Sequence, residues 1–218
     1  MVMRALIFKK PPFFPPTADF CFNRSAVPFS EAKTEIIRKS IHFLIAFTPA
    51  MATLNYALTI LLLMAGVSGY IIMELMRLSG VPVPVVSALT TMASRPQDSG
   101  SFVLGPVTLG IGTLLALLLF PLPAAFIGIY ALAFGDGFSA LAGKLFGRIR
   151  PAFLLGKSVE GALACFTATY IAAWIASQNG IIALAAAFTA AAVESLPLED
   201  YDNIAIPITV ALVVHIMV

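Results

Sequence analysis

The sequence predicts an all-α protein, a polytopic transmembrane helix bundle of about seven spans, within a range of six to eight, with its N-terminus in the cytoplasm. Three observations predict it. Of 218 residues, 60% are hydrophobic and 11% charged, where a soluble domain carries roughly 25% charged residues. Apolar runs of spanning or near-spanning length follow one another, parted by short turns. The thirteen Lys and Arg residues fall only within 4–39, 77–95 and 144–157, so seven spans with the N-terminus inside put every one on the cytoplasmic face.

The first thirty residues predict a poorly ordered tail at the membrane surface. KKPPFFPPTADF is broken by prolines and has no continuous apolar stretch of the kind a signal peptide needs. Residues 31–218 read as one transmembrane domain. Its apolar runs are SIHFLIAFTPAMATL (40–54), YALTILLLMAGVSGYIIMEL (56–75), SFVLGPVTLGIGTLLALLLF (101–120), PLPAAFIGIYALAF (121–134), VEGALACFTATYIAAWIA (159–176), GIIALAAAFTAAAV (180–193) and NIAIPITVALVVHIMV (203–218). Several fall short of the roughly 20 residues a span needs, so their ends borrow flanking residues or the bilayer thins. VPVPVVSALTTMA (81–93) is short and proline-rich and reads as re-entrant or interfacial. The Gly- and Ala-rich runs at 161–176 and 183–192 suit close helix packing in lipid. Cys21 and Cys165 lack metal-type spacing and imply neither a disulfide framework nor a zinc site. The acidic residues fall on the same face as the basic ones, so any chemistry is expected at the cytoplasmic surface. No nucleic-acid partner is expected.

Four polar clusters stand out against this apolar background. In GDGFSALAGKLFG (135–147), Asp136 is placed at the cytoplasmic end of a span. Asp136, Ala140, Gly143 and Gly147 share one helical face. That face is nearly bare, Gly135 and Gly137 leave room beside the carboxylate, and a carboxylate near phosphate commonly holds Mg²⁺. The plain alternative is an acidic helix end with a small-residue packing face. LLGKSVEG (154–161) is not a P-loop, because Pro151 stands where that motif has glycine and no strand precedes it. It offers a flexible Gly156, a cation at Lys157, an N-cap at Ser158 and a carboxylate at Glu160. ESLPLEDYDN (194–203) gathers Glu194, Glu199, Asp200, Asp202 and Asn203 in one inner loop, and with Asp136 these complete an all-oxygen metal site. Otherwise it is a solvated acidic loop. IIRKSIHF brings Arg38, Lys39 and His42 into the first span. Lys39 reads most simply as a topology signal, and His42, one turn into the apolar run, as a phosphate contact or a general base. Glu74, at the inner end of the second span with Arg77 three residues on, is a similar case, and a purely structural ion pair is its plain alternative.

RKSIH, GDGFSALAGKLFG, GKSVEG and ESLPLEDYDN followed by IAIP together resemble the CTP-dependent lipid kinases, the group of dolichol kinase, phytol kinase and CTP-using diacylglycerol kinase. The resemblance spans roughly residues 36–210. It implies a transmembrane catalytic domain that uses CTP and Mg²⁺ to phosphorylate a lipid alcohol in the bilayer. Asp136, Lys157 and His42 would be catalytic. Asp136, Asp202 and Glu194 would hold the metal. Gly135, Gly143, Lys144, Lys157, Ser158, Glu160, Gly161, Arg38, Lys39 and Asn203 would line the nucleotide site. Ala162 departs from the serine usual after the EG pair and removes a hydroxyl from the phosphate region. The related phosphatidate cytidylyltransferases, which make CDP-lipid from phosphatidate and CTP, share the GD and K-[ST]-x-E-G elements. They end in a longer Lys-Asp motif and an HGG stretch that this chain lacks, which favours the kinase. A small transporter or scaffold is the alternative from another class, but a transporter would more naturally show inverted repeats and mid-span polar groups, and here the polar groups cluster at one edge. The chain is expected to be an integral, multi-pass membrane protein, in the cytoplasmic membrane if bacterial, with its active site on the cytoplasmic side.

Overall fold

The computed structural model describes residues 29–81, 83, 101–151, 154 and 156–218. The expected tail over 1–30, apart from Phe29 and Ser30, and the expected re-entrant segment over 81–93, apart from Val81 and Val83, lie outside the described residues. Among the described residues there is no strand. The helices are α1 (Phe29–Phe43), α2 (Thr48–Leu54), α3 (Tyr56–Leu78), α4 (Gly105–Leu119), α5 (Leu122–Leu145), α6 (Val159–Ser177), α7 (Gly180–Glu194) and α8 (Asp202–Met217).

Four helical stretches are long and apolar enough to cross a membrane: Tyr56–Leu78, Leu122–Leu145, Val159–Ser177 and Glu199–Met217. α4 and α7 are apolar but only 15 residues each, about 22 Å against a hydrocarbon core of about 30 Å. The first expected span differs from the sequence reading. It is divided into α1, a 3₁₀ turn at Leu44–Phe47 and α2. Pro49 in the first turn of α2 supplies no N–H, so the regular ladder cannot run through from α1. The fourth expected span does not stop at Phe134. It continues to Leu145 as one helix of 24 residues with a π-helical turn at Ala131–Asp136.

Side-chain caps satisfy the exposed N–H groups at three helix starts. Asn55 accepts from Leu58 N at 3.0 Å, Ser158 from Gly161 N at 3.1 Å, and Asn179 from Ile181 N at 2.9 Å. The ends of the helices sort by polarity. Arg77, Ser101, Lys144, Ser158, Glu194 and Asp202 gather at one end. At the other, Tyr56 Oη donates to the Leu117 carbonyl at 2.9 Å and Phe120 meets His215 edge-on.

α8 forms the axis of the core. Ile206, Val210 and Val214 recur every fourth residue along it and are fully buried against Ala183, Ala186 and Ala190 of α7, Ile127 and Ala131 of α5, and Cys165 and Ala173 of α6. Between helices in lipid the attraction is close packing rather than hydrophobic exclusion, so small residues decide how near two backbones come. A Cβ on Gly112 of α4 would strike the Asn203 carbonyl and Ile204 Cα of α8; one on Gly128 of α5 would strike the Pro207 carbonyl. α3, in contrast, turns Leu58, Leu61, Leu62 and Met64 outward. Its inner end is fixed by Glu74, which is fully buried and accepts from Arg77 at 2.7 and 2.8 Å and from Val103 N at 3.0 Å.

Two alanine substitutions separate packing from propensity. Gly112→Ala should lower stability by about 1–3 kcal/mol, because the obstruction is backbone and cannot move aside. Gly66→Ala, whose added Cβ meets nothing within 4 Å, should be neutral or stabilise by up to about 1 kcal/mol. Unfolding of the two variants in detergent checks the pair.

Candidate functional site

Asp136 does not cap a helix end. It lies inside α5, closing the π turn, nine residues before Leu145, about 13 Å along the axis. The reading of a terminal carboxylate is corrected by the continuity of α5, whose glycines do not break it because neighbouring helices pack on them. The room expected beside Gly135 and Gly137 is filled: Thr169 Oγ1 and Cys165 of α6 occupy the space over Gly135, and the Phe43 ring covers Gly137.

A carboxylate so placed must be paired. Lys39 of α1 donates to Asp136 Oδ2 at 2.6 Å, with the two residues only 4% and 2% exposed. His42, one turn on, places Nε2 at 3.1 Å from the same oxygen and at 2.9 Å from the Leu132 carbonyl within the π turn. A carbonyl only accepts, so Nε2 carries the proton and donates. That leaves Nδ1 alone for base chemistry, and the ring's evident work is to orient Asp136. Lys39, read from sequence as a topology signal, is the carboxylate's direct counter-ion.

Asp136, Glu194 and Asp202 are all buried, and each offers an oxygen within 4.8 Å of the others. Three elements converge here: the interior of α5, the last residue of α7 and the first of α8. Because α7 ends at Glu194, its carboxylate is level with Ser139 of α5, which donates to Glu194 Oε1 at 3.0 Å. Lys157 enters from the α5–α6 loop, 2.7 Å from Glu194 Oε1 and 3.9 Å from Asp202 Oδ2. Partial burial pulls the Lys157 pKa down, but Glu194 and then Asp202 more than offset it, so the ammonium is held above its ordinary range and stays charged at neutral pH.

These groups open into a polar cavity of about 420 Å³, a volume ordinary for a small-molecule site. The predicted helical face does line it: Asp136, Ala140 and Gly143, with Lys144 beside them and Lys157, Ser158 and Gly161 opposite. Gly143 and Gly161 also face each other where α5 crosses α6, and Gly147 lies beyond the helix against Ser158. Gly156 takes a φ of +94° that favours glycine, and its carbonyl accepts from Arg150 Nη1 at 2.6 Å, while Arg150 Nη2 reaches the Gly143 carbonyl at 3.0 Å. Four expected nucleotide contacts are not brought to this cavity: Gly135 is packed under α6, Lys39 is engaged by Asp136, and Glu160 and Asn203 are held elsewhere. Glu160 accepts from the backbone N–H of Arg148 at 2.9 Å and of Ile149 at 3.2 Å, and so fastens the loop. Asn203 donates to Thr108 Oγ1 at 3.0 Å, clamping α8 to α4. Arg38 pairs with Glu35 at 2.6 Å and lines the cavity rim. Glu199 and Asp200 lie outside the buried trio.

The buried trio suits a hard divalent cation. Counted as ionised, three carboxylates outnumber their two lysine partners, and Glu194 Oε2 is buried with no hydrogen-bond partner among the described residues. An orphaned buried carboxylate oxygen is costly unless something positive meets it. The donor set, all carboxylate oxygen, matches Mg²⁺ rather than a softer metal. Sequence reasoning missed Ser139 and Arg150. Ser139 follows Asp136 by one turn on the same helix, which is the signal that could have found it.

Lys39→Met should destabilise the protein by about 3–5 kcal/mol, because it strands a buried carboxylate. Lys39→Met with Asp136→Leu should recover much of that loss, and the non-additivity of this cycle in detergent unfolding measures the pair. Compared with family models, with curated proteins and with solved structures, the chain matches none.

Proposed function

We propose that this protein is an integral membrane lipid kinase that transfers the γ-phosphate of CTP to a lipid alcohol at the cytoplasmic face. The observation that carries the reading is the carboxylate trio Asp136, Glu194 and Asp202, interleaved with Lys39 and Lys157 and opening into a polar cavity at the charged end of the bundle. Phosphoryl transfer asks little covalent chemistry of a protein; it asks for cations, a metal clamp and alignment of the attacking oxygen. The motifs shared with the CTP-dependent lipid kinases supply the choice of donor. The chain direction supports seven crossings, from α1–α2 through α8, with the N-terminal side of α1 at the charged, cytoplasmic end.

In this reading Asp136, Glu194 and Asp202 would hold Mg²⁺, which when bound offsets charge on the triphosphate. Lys157 and Lys144 present ammonium groups to the same phosphates. Ser158 accepts from Gly161 N through its oxygen and keeps its O–H to donate. Lys39 and His42 hold Asp136 in place. The lipid hydroxyl oxygen bonds to the γ-phosphorus, the bond from that phosphorus to the bridging oxygen breaks, and CDP leaves. The hydroxyl proton passes to the Asp202 oxygen that the cation would leave free, since Asp202 borders both the polar cavity and a second opening.

Membranes holding the protein, Mg²⁺ and a panel of lipid alcohols with phosphatidate, given CTP labelled in the α or the γ phosphate, test the proposal. Lipid labelled only from the γ position is expected; label only from the α position would assign a cytidylyltransferase instead. Asp136→Asn and Lys157→Ala should each reduce turnover by at least about 100-fold with membrane insertion intact. Chelating divalent cations should stop transfer, and Mg²⁺ should restore it.

A further inference from the structure

A second cavity adjoins the carboxylate trio, a narrow crevice of about 100 Å³ between α1, α4 and the start of α8. It is amphiphilic. Charged groups line it from the buried Lys39, His42 and Asp202 to the more exposed Arg38, Asp200 and Glu199, and Ile41, Val103 and Leu109 form an apolar wall. Arg38 and Asp202 border this crevice and the polar cavity alike, while Lys39 and His42, which line the crevice, grip Asp136, which lines the polar cavity. The Asp136 ion pair thus lies between the two openings, which share Arg38 and Asp202.

We propose that this crevice is the acceptor site and that it takes the hydroxyl end of a single-chain lipid alcohol, with Ile41 and Leu109 determining specificity. The inference rests on the kinase reading above. A water-soluble nucleotide suits the larger polar cavity, and an alcohol with an apolar tail suits a slot in which charged groups face an apolar wall. In-line transfer needs donor and acceptor to approach within about 3–3.5 Å, and Asp202, bordering both openings, marks where they meet. The volume selects further. At about 100 Å³ against about 420 Å³ for the polar cavity, the crevice is the tighter of the two. The branched, two-ester head of a diacylglycerol would have to force α1 from α4. The larger apolar groove between α5 and α6, about 460 Å³ and lined by Phe126, Tyr130 and Ala176, is the rival site. It lacks a charged group, and the Phe43, Phe134 and Phe138 rings stand at its inner end.

Three measurements decide it. With γ-labelled CTP, single-chain primary alcohols should show a kcat/KM at least about tenfold above that for diacylglycerol; equal or better use of diacylglycerol overturns the assignment. Ile41→Trp should raise the KM for the alcohol at least about tenfold while the KM for CTP holds, and Ala176→Trp should move neither; the reverse pattern overturns it. A single-chain alcohol bearing a diazirine beside its hydroxyl, photolysed with the unaltered protein, should label α1 and α4 around Ile41 and Leu109; label on Phe126, Ala172 or Ala176 overturns it. Phosphate reaching no alcohol sinks the kinase reading, and the photolabel then still decides whether the crevice binds a lipid alcohol.

Discussion

A carboxylate inside a long apolar helix is the constraint on which the rest of the structure depends. Asp136 is nine residues from the nearer end of α5 and cannot reach bulk water along its own helix. Its charge must be met from elsewhere. α1 meets it: Lys39 and His42 lie one turn apart and both reach Oδ2. This explains why α1, the least apolar of the helices, packs against α5, and why Phe43 sits over Gly137 next to those contacts. The π turn fits the same demand. Its Leu132 carbonyl accepts from His42, so the irregular turn and the buried ion pair share one partner.

The depth of Asp136 then dictates what its neighbours must be. A second carboxylate reaches it only from a helix that stops early. α7, 15 residues long, ends at Glu194, level with Ser139 and six residues short of the end of α5. α8 begins at Asp202 for the same reason, and the close passage of Gly112 by Asn203 lets α4 come near enough for Thr108 to clamp it. The short helices leave a depression at the charged end of the bundle. The α5–α6 loop closes over that depression, held by Arg150 on the Gly143 and Gly156 carbonyls and by Glu160 on the Arg148 and Ile149 amides.

Much of this was legible in the sequence, and the remainder was hidden for definite reasons. Periodicity and composition gave the apolar helices, and local spacing gave the shared face of Asp136, Ala140 and Gly143. Charge set against apolar surroundings singled out Asp136, Glu194, Asp202 and Lys157, which the fold brings together. Partnership across the chain was not legible. Lys39 and Asp136 are 97 positions apart, and a basic residue at a span boundary looks the same whether it faces lipid headgroups or a buried carboxylate. Glu160 sits in a motif with Lys157 and Ser158, yet successive helical residues point in different directions, so one serves the cavity and another the loop. The continuity of α5 through two glycines was obscured because glycine reads as a breaker until a packed neighbour is known.

The distribution of polar groups along the bundle bears on the class of activity. A conduit needs polar or hydrated lining that continues to the far end. Below Asn203, α8 offers Ile206, Val210 and Val214, all fully buried, against Leu132 and Ala131 of α5 and the alanine stripe of α7. That layer is apolar and closely packed, and the far end is closed by the Tyr56–Leu117 hydrogen bond and the Phe120–His215 contact. Among the described residues the charged groups therefore form a blind recess. In the proposed kinase, a recess with a polar cavity on one side and an amphiphilic slot on the other would serve a reaction between a soluble and a membrane-bound reactant.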